Sequence, residues 1–528
     1  MALHTSRKTP SVARLSAELE QLEPRTLLSG TVNVEWVKGL LQITGDGAAN
    51  SIVVTGGTAA SPITVTGADI TMVTGQAVTP SATVTKGIVI RMGNGNDSVV
   101  LDGLVANTPV LVDGGDGDNA FVAQHGGVNG ILTIINGAST TGSTVTLADE
   151  IVRKDLKITT GTGGLTTVIT EGSRILGCVS VINAAAGAND FSFTVDDSVV
   201  NKAITIDNQD GDTDASFTAA NLGGPLTITN RAGVDRFTFD TTTLKGALKI
   251  NTGAGDSSFT STSTNFSGLF SYVAAAGADT FTMDGTSVTG KFTAAFGLGG
   301  TTLSLTQATF GNAVAISNLS NGINGSGNVV RVGGALAIAA GDGHTDLSLD
   351  ILTVKGNFAF LSGSGHDELD IGGANITGAV TLSGGAGLNE FTLNYLAAKS
   401  IAILGGSDSD ILAMLAVTTN SLTCDLRDGD NTVDINDTAI MGATTIVTGA
   451  GTDTVNFNKT GTAQTVFAKP VKVLLGAGND TLTLGDAGNP ARRVIFGAKA
   501  LFDGQAGTNT LVEDNVLYAA APVTLNFI

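Results

Sequence analysis

"FTFDTTTLKGALKI", residues 237 to 250, is followed 22 residues later by "FTSTSTNFSGLFSY", 259 to 272, and again by "FTMDGTSVTGKFTA", 281 to 294. Three columns run through the alignment. Phe237, Phe259, Phe281, Leu303, Leu347, Leu369 and Phe391 differ by 22, or by 44 across one gap that Gly325 fills. Leu244, Phe266, Val288, Phe310, Val354 and Ile376 form the second column, and Leu248, Phe270, Phe292, Val314, Phe358 and Val380 the third. Glycines recur between those two at Gly246, Gly268, Gly290, Gly356 and Gly378.

Self-similarity at this period signals a solenoid, in which a unit buries its apolar face only against its neighbours. Within the unit the apolar residues alternate, as in "FTMD" and "KFTAAF", which is the period of a strand; no helical spacing persists over ten residues. Turns such as "GNGND" (93–97), "GDGDN" (115–119), "GANDF" (187–191), "GTDTV" (451–455) and "GAGND" (476–480) precede the alternating runs. A strand repeated once per turn pairs in parallel with its equivalent about 4.8 Å along the axis. The expected fold is therefore all-β: a single-stranded right-handed parallel β-helix, or β-solenoid, of roughly twenty coils with a period of about 22 residues. The hand follows from the preference of parallel crossovers.

Four segments are expected. Residues 1–30 carry Arg7, Lys8 and Arg14 and stand outside the repeat; residues 31–90, with the single Trp36, read as an amino-terminal cap with irregular first coils. Residues 91–511 form the regular β-helix, and 512–528 a closing strand over an edge that would otherwise recruit other chains.

The chain has 528 residues, 47 acidic against 27 Lys plus Arg, and a net charge of −20. Such a charge repels phosphate backbones and argues against nucleic acid as a partner. Gly, Ser, Thr or Asp interrupts every apolar stretch, so no membrane span is expected. Cys178 and Cys424 are 246 residues apart, too far along a linear stack to form a disulfide.

Residues 1–21 lack the continuous apolar core of a secretory signal. The next stretch, "LEPRTLLSG" (22–30), resembles at Leu22, Glu23, Pro24, Arg25, Leu27 and Leu28 the LEPR-XLL motif near the start of large exported or surface β-repeat proteins of planctomycete bacteria. That resemblance covers about nine residues and implies an extracellular or cell-surface location. Read without it, the stretch is the end of a helix that Pro24 stops.

The turns are similar to the calcium-binding nonapeptide repeat at "GGDGDNAFV" (114–122) and "GAGNDTLTL" (476–484). Calcium in that family sits between turns nine residues apart, and this chain supplies one turn per 22, so its geometry does not transfer. Stacked carboxylates still repel, which a bound cation would relieve. Asp97 precedes Asp116 and Asp118, Asp408 and Asp410 precede Asp428 and Asp430, and "DNQDGDTD" adds Asp210, Asp212 and Asp214; these ten are the calcium candidates. Weak Ca²⁺ binding is the one cofactor expectation. His344 and His366, 22 apart, with Asp346 and Asp367 beside them, are transition-metal candidates.

An enzyme of this architecture, a polysaccharide lyase or hydrolase, needs converging acids or a basic cluster on one face. The repeat offers mostly Thr238, Thr260, Thr282, Ser304, Ser348 and Thr392 there, a pattern of any solvent-facing strand and also of a flat ice- or glycan-contacting face. "ARR" at 491–493 is the notable basic spot, and no P-loop, dinucleotide or nucleophile-elbow motif occurs in its proper context. The expectation is a non-catalytic, exported or cell-surface structural or adhesin-like module whose partners are extracellular polysaccharide or surface components. A carbohydrate-active β-helix enzyme and a calcium-dependent envelope component are the alternatives. The ligand, the attachment mode and the oligomeric state are left open.

Overall fold

The computed structural model describes residues 30–184 and 190–528. It is an all-β solenoid of about 20 turns with a period near 22 residues and parallel sheets, as the alternation predicts. One representative coil contains the strands Asp235–Asp240, Thr243–Leu244 and Leu248–Asn251. Each pairs in parallel with its counterpart in the next coil, so three ladders run along the axis. The LEPR-XLL-like stretch and most of "GANDF" lie outside the described residues.

Register explains the columns. Phe237 pairs with Phe259, Phe259 with Phe281 and Phe281 with Leu303, and all four side chains are buried in one axial file. Their neighbours two residues on face the same interior because strand side chains alternate. Rings follow the file: Phe259 stacks on Phe281 with centroids 4.6 Å apart, and Phe217 on Phe239 at 4.8 Å. Leu303 pairs with Gly325 and Gly325 with Leu347, so the gap in the first column is a glycine inside the same file.

The recurrent glycine between the second and third strands reflects close approach. A Cβ on Gly268 would come within 2.3 Å of the Gly246 oxygen of the previous coil, closer than packing permits. At the corner after the first strand the chain takes a left-handed residue coil after coil, at Ala219, Thr241, Ser263, Gly285 and Gln307, with φ between 48° and 56°.

Between Phe191 and Asn389 each coil advances by 22 residues; the step is 21 from Asn389 to Asp410, then 27 from Asp453 to Asp480 and 29 from Asp480 to Asn509. The extra length leaves as loops around 458–464 and 485–493, where "ARR" lies. Arg492 Nε donates to the Gly461 oxygen at 2.7 Å, and its Nη1 pairs with Asp486 Oδ2. Arg493 Nε donates to Asn515 Oδ1 at 3.2 Å. The basic spot ties two insertions and the last coil together.

The amino-terminal segment departs from the parallel rule. Thr31–Val37 and Leu40–Thr44 form an antiparallel hairpin, as do Ser51–Thr55 and Ile63–Gly67. Leu40–Thr44 then pairs in parallel with Gly87–Arg91, so the hairpin covers the first ladder edge. Trp36 is 41% exposed and its Nε1 donates to the Thr83 oxygen at 3.1 Å. At the other end Val516–Tyr518 and Val523–Leu525 continue the ladders in parallel.

Cys178 immediately precedes the strand Val179–Asn183, Cys424 lies within the strand Leu422–Asp425, and both are free. No helix among the described residues is long and apolar enough to cross a membrane.

Candidate functional site

The acidic turn residues divide into two groups by the direction of their side chains. In the outer group the carboxylate reaches forward one coil and accepts a backbone N–H. Asp116 Oδ1 accepts from Ala138 at 2.8 Å, Asp212 Oδ1 from Val234 at 2.7 Å, Asp428 Oδ1 from Ala450 at 3.1 Å and Asp430 Oδ1 from Thr452 at 2.7 Å. Asp118 accepts four bonds, from the N–H and hydroxyl groups of Thr140 and Thr141. Those donors, the Thr141 N–H foremost, hold its carboxyl well below the usual range. Asp408 reaches backward instead, accepting the Gly387 N–H at 2.9 Å. Asp210 accepts the Gly211 N–H at 3.0 Å, and Asp214 is exposed beside Arg236 in register.

The inner group comprises Asp97, Asp367 and Asp410, all buried. The turn pattern alone placed Asp97 and Asp410 with the outer carboxylates and Asp367 beside the two histidines. Their true position follows from alternation, since Asp367 is two residues before Leu369 and so shares its inward face. They belong to a polar file that also holds Asn119, Thr213, Asp235, Ser257, Asp279, Thr301, Thr345, Asn389, Asn431, Asp453, Asp480 and Asn509.

From Asn389 to Asn509 each member of this file satisfies the one before it. Asn389 N–H donates to Asp410 Oδ1 at 3.1 Å, Asp410 N–H to Asn431 Oδ1 at 2.9 Å, Asn431 N–H to Asp453 Oδ1 at 2.9 Å, Asp453 N–H to Asp480 Oδ1 at 3.0 Å and Asp480 N–H to Asn509 Oδ1 at 3.0 Å. The backbone bends here from turn to strand, and the side chain supplies the acceptor that a buried N–H requires. Desolvation pushes Asp97 and Asp453 up to about 6 and Asp235 up to about 7. Desolvation also raises Asp279 and Asp480, and each leaves Oδ2 buried without a hydrogen-bond partner.

A second buried file begins at the strand corner with Thr242, Thr264 and Thr286. Thr242 Oγ1 donates to the Phe217 oxygen at 2.8 Å, and Thr264 Oγ1 accepts the Thr242 N–H at 3.3 Å. Tyr272, deep among the phenylalanines, meets Ser257 Oγ through its hydroxyl at 2.5 Å, and Ser257 in turn meets Asp279.

Of the transition-metal candidates, His344 and His366 stand together with ring centroids 5.2 Å apart. His344 Nδ1 lies 2.5 Å from the His366 carbonyl oxygen, a contact that needs Nδ1–H as the donor and takes that nitrogen out of metal ligation. Asp367 is turned inward, accepting the Thr345 N–H at 3.1 Å, while Asp346 is exposed. Among the described residues no three His, Cys, Asp or Glu side chains gather in a metal-binding group.

One acidic groove of about 620 Å³ gathers Asp212 and Asp214 with Asp190, Asp235, Arg236 and Asp256. Sequence reasoning also passed over His125, whose Nδ1 lies 3.1 Å from Asp102 Oδ1; that carboxylate raises the imidazole above its ordinary value. The 23-residue separation, one coil plus the corner, was the available signal.

Fold and surface together define an acidic parallel β-solenoid whose carboxylates chiefly join coil to coil. Family models, curated protein sequences and solved structures show no match to the chain.

Proposed function

We propose that this protein is a non-catalytic, exported or cell-surface β-solenoid that works as a rigid structural or adhesin-like module. The observation that carries the reading is the continuity of the three ladders through about 20 coils. At about 4.8 Å per coil this makes a rod on the order of 95 Å. Supporting it, most of the turn carboxylates expected to bind cations are bonded to backbone N–H groups of neighbouring coils, and the basic pair Arg492 and Arg493 closes loops. The resemblance at Leu22–Leu28 supports an extracellular or surface location in a planctomycete-like envelope, with polysaccharide or surface components as partners.

Cell fractionation of the full chain, with and without residues 1–30, tests the location. The full chain is expected in the envelope or medium and the truncated chain in the cytosol. Cytosolic retention of the full chain overturns the reading.

A further inference from the structure

Two surface files meet at the corner after the first strand. In one, Asn328, Asp350, Gly372 and Asn394 follow each other coil by coil. In the other, immediately after, stand Ile351, Gly373 and Tyr395, all left-handed with φ of 53°, 60° and 52°. Gly372 and Gly373 thus remove both side chains from a single coil while the coils on either side keep theirs. The result is an open notch of about 480 Å³.

Its walls are Ile351, 56% exposed, and Tyr395, 65% exposed. They stand two coils apart, roughly 10 Å between backbones. Asp350 leans over the glycine floor, so that a Cβ on Gly372 would lie 2.3 Å from its Oδ1. Asp370, on the neighbouring outward position of the same coil, has its Oδ1 buried without a hydrogen-bond partner. Desolvation, with the Asp350 and Glu368 charges, raises that carboxyl above its ordinary value. The notch thus presents Asp350, Asp370 and Asn394 as its polar lining.

We infer that this notch is a binding subsite for one pyranose ring of a neutral or amino-bearing polysaccharide, with Tyr395 as the stacking face and Asp350, Asp370 and Asn394 as the polar contacts. A pyranose combines an apolar C–H face with a rim of hydroxyl donors, which matches one aromatic wall and a carboxylate-lined floor. An aliphatic ligand would leave the polar lining of Asp350, Asp370 and Asn394 unmet. A metal ion would find two carboxylates where hard cations take six or more oxygens. A uronate would face Asp350 and Asp370 with no Lys or Arg among the lining residues, on a chain of net charge −20. The subsite rests on the surface-module reading for its biological setting, yet binding in solution and location in the cell can fail separately.

Affinity electrophoresis of the full chain through gels containing a neutral β-glucan, chitosan or alginate tests the subsite. Retardation by the glucan or by chitosan, and none by alginate, is expected. Tyr395→Ala and Asp370→Ala are expected to weaken it about tenfold or more, the loss of one stacking or hydrogen-bonded contact. Gly373→Ile places in the notch the residue already tolerated at 351 and should abolish retardation, with circular dichroism confirming the fold. Retardation by none of the three polymers, retardation by alginate alone, or retardation unchanged in Tyr395→Ala and Gly373→Ile overturns the inference.

Discussion

Asp453 Oδ1 accepts the backbone N–H of Asn431 at 2.9 Å, from one coil further along the axis and from inside the solenoid. This bond ties an ionisable group to the spacing of the coils. Burial pushes Asp453 and Asp97 up to about 6, and Asp235 and Glu150 up to about 7, from ordinary values of 3.8 for Asp and 4.5 for Glu. The folded chain therefore holds protons that the unfolded chain releases. Stability from these groups is fully present below about pH 4 and declines as pH rises through 6 to 7. Asp118 acts oppositely: its depressed carboxyl stabilises at neutral pH and loses that contribution on strong acidification. Thermal denaturation is expected to show maximal stability near pH 4 to 5 and a decline toward pH 8; a flat profile over that range would contradict the assignment.

The file members Asn431 and Asn509, one coil before and two coils after, show that an amide serves in the same place. Asp453→Asn keeps the acceptor for Asn431 and removes the ionisation. It is expected to flatten the decline and to exceed the parent in stability at pH 8, by up to about 3 kcal/mol for a shift of this size. Denaturant melts at pH 4.5 and pH 8 measure the difference.

Phe259 sits at the centre of the aromatic run, stacked on Phe281 and edge-on to Phe270 at 5.3 Å. Phe259→Ala is expected to cost about 3 to 5 kcal/mol, the range for truncating a buried ring. A solenoid contacts only its neighbours, so the loss should spread along the axis rather than across the chain. Hydrogen exchange should rise in the coils that hold Phe237, Phe259 and Phe281 before those near Val99. Uniform exchange along the rod would show that the coils unfold as one unit.

The columns at 22-residue spacing were enough to give strand type, parallel pairing and the interior file, because burial repeats with the coil. The polar file was equally periodic: Asp235, Ser257 and Asp279 precede Phe237, Phe259 and Phe281 by two residues, which alternation sends inward. Grouping Asp97, Asp367 and Asp410 with metal-ligand candidates weighs residue type above parity, and parity turns all three inward. The notch at Gly372 and Gly373 was not legible, since it depends on side chains missing from one coil and present on its neighbours. The antiparallel hairpin of Thr31–Val37 and Leu40–Thr44 has no repeat to announce it.

Thr241 is a β-branched residue held at φ 51° in the corner file, where Gly285 and Asp197 occupy equivalent turns. A left-handed conformation is unfavourable for such a side chain and tolerated by Asn. Thr241 is exposed, so its replacement sacrifices little packing. Thr241→Asn is expected to stabilise by about 1 kcal/mol, read as a higher midpoint in urea with an unchanged slope. A lower midpoint would mean that the Thr241 hydroxyl bond to Asp240 outweighs the strain.

The outer carboxylates give the last expectation. Asp116, Asp118, Asp428 and Asp430 already bind N–H groups one coil ahead, each lone pair so used being one fewer for a cation. Hard cations require several oxygens at once, and freeing these would break the stitching between coils. Melting temperature is therefore expected to be the same in millimolar calcium and in chelator. Asp118→Ala, which strips four acceptor contacts from Thr140 and Thr141, should lower it equally in both. A rise confined to calcium, lost in Asp118→Ala, would instead make the turns cation sites and favour a calcium-dependent envelope component.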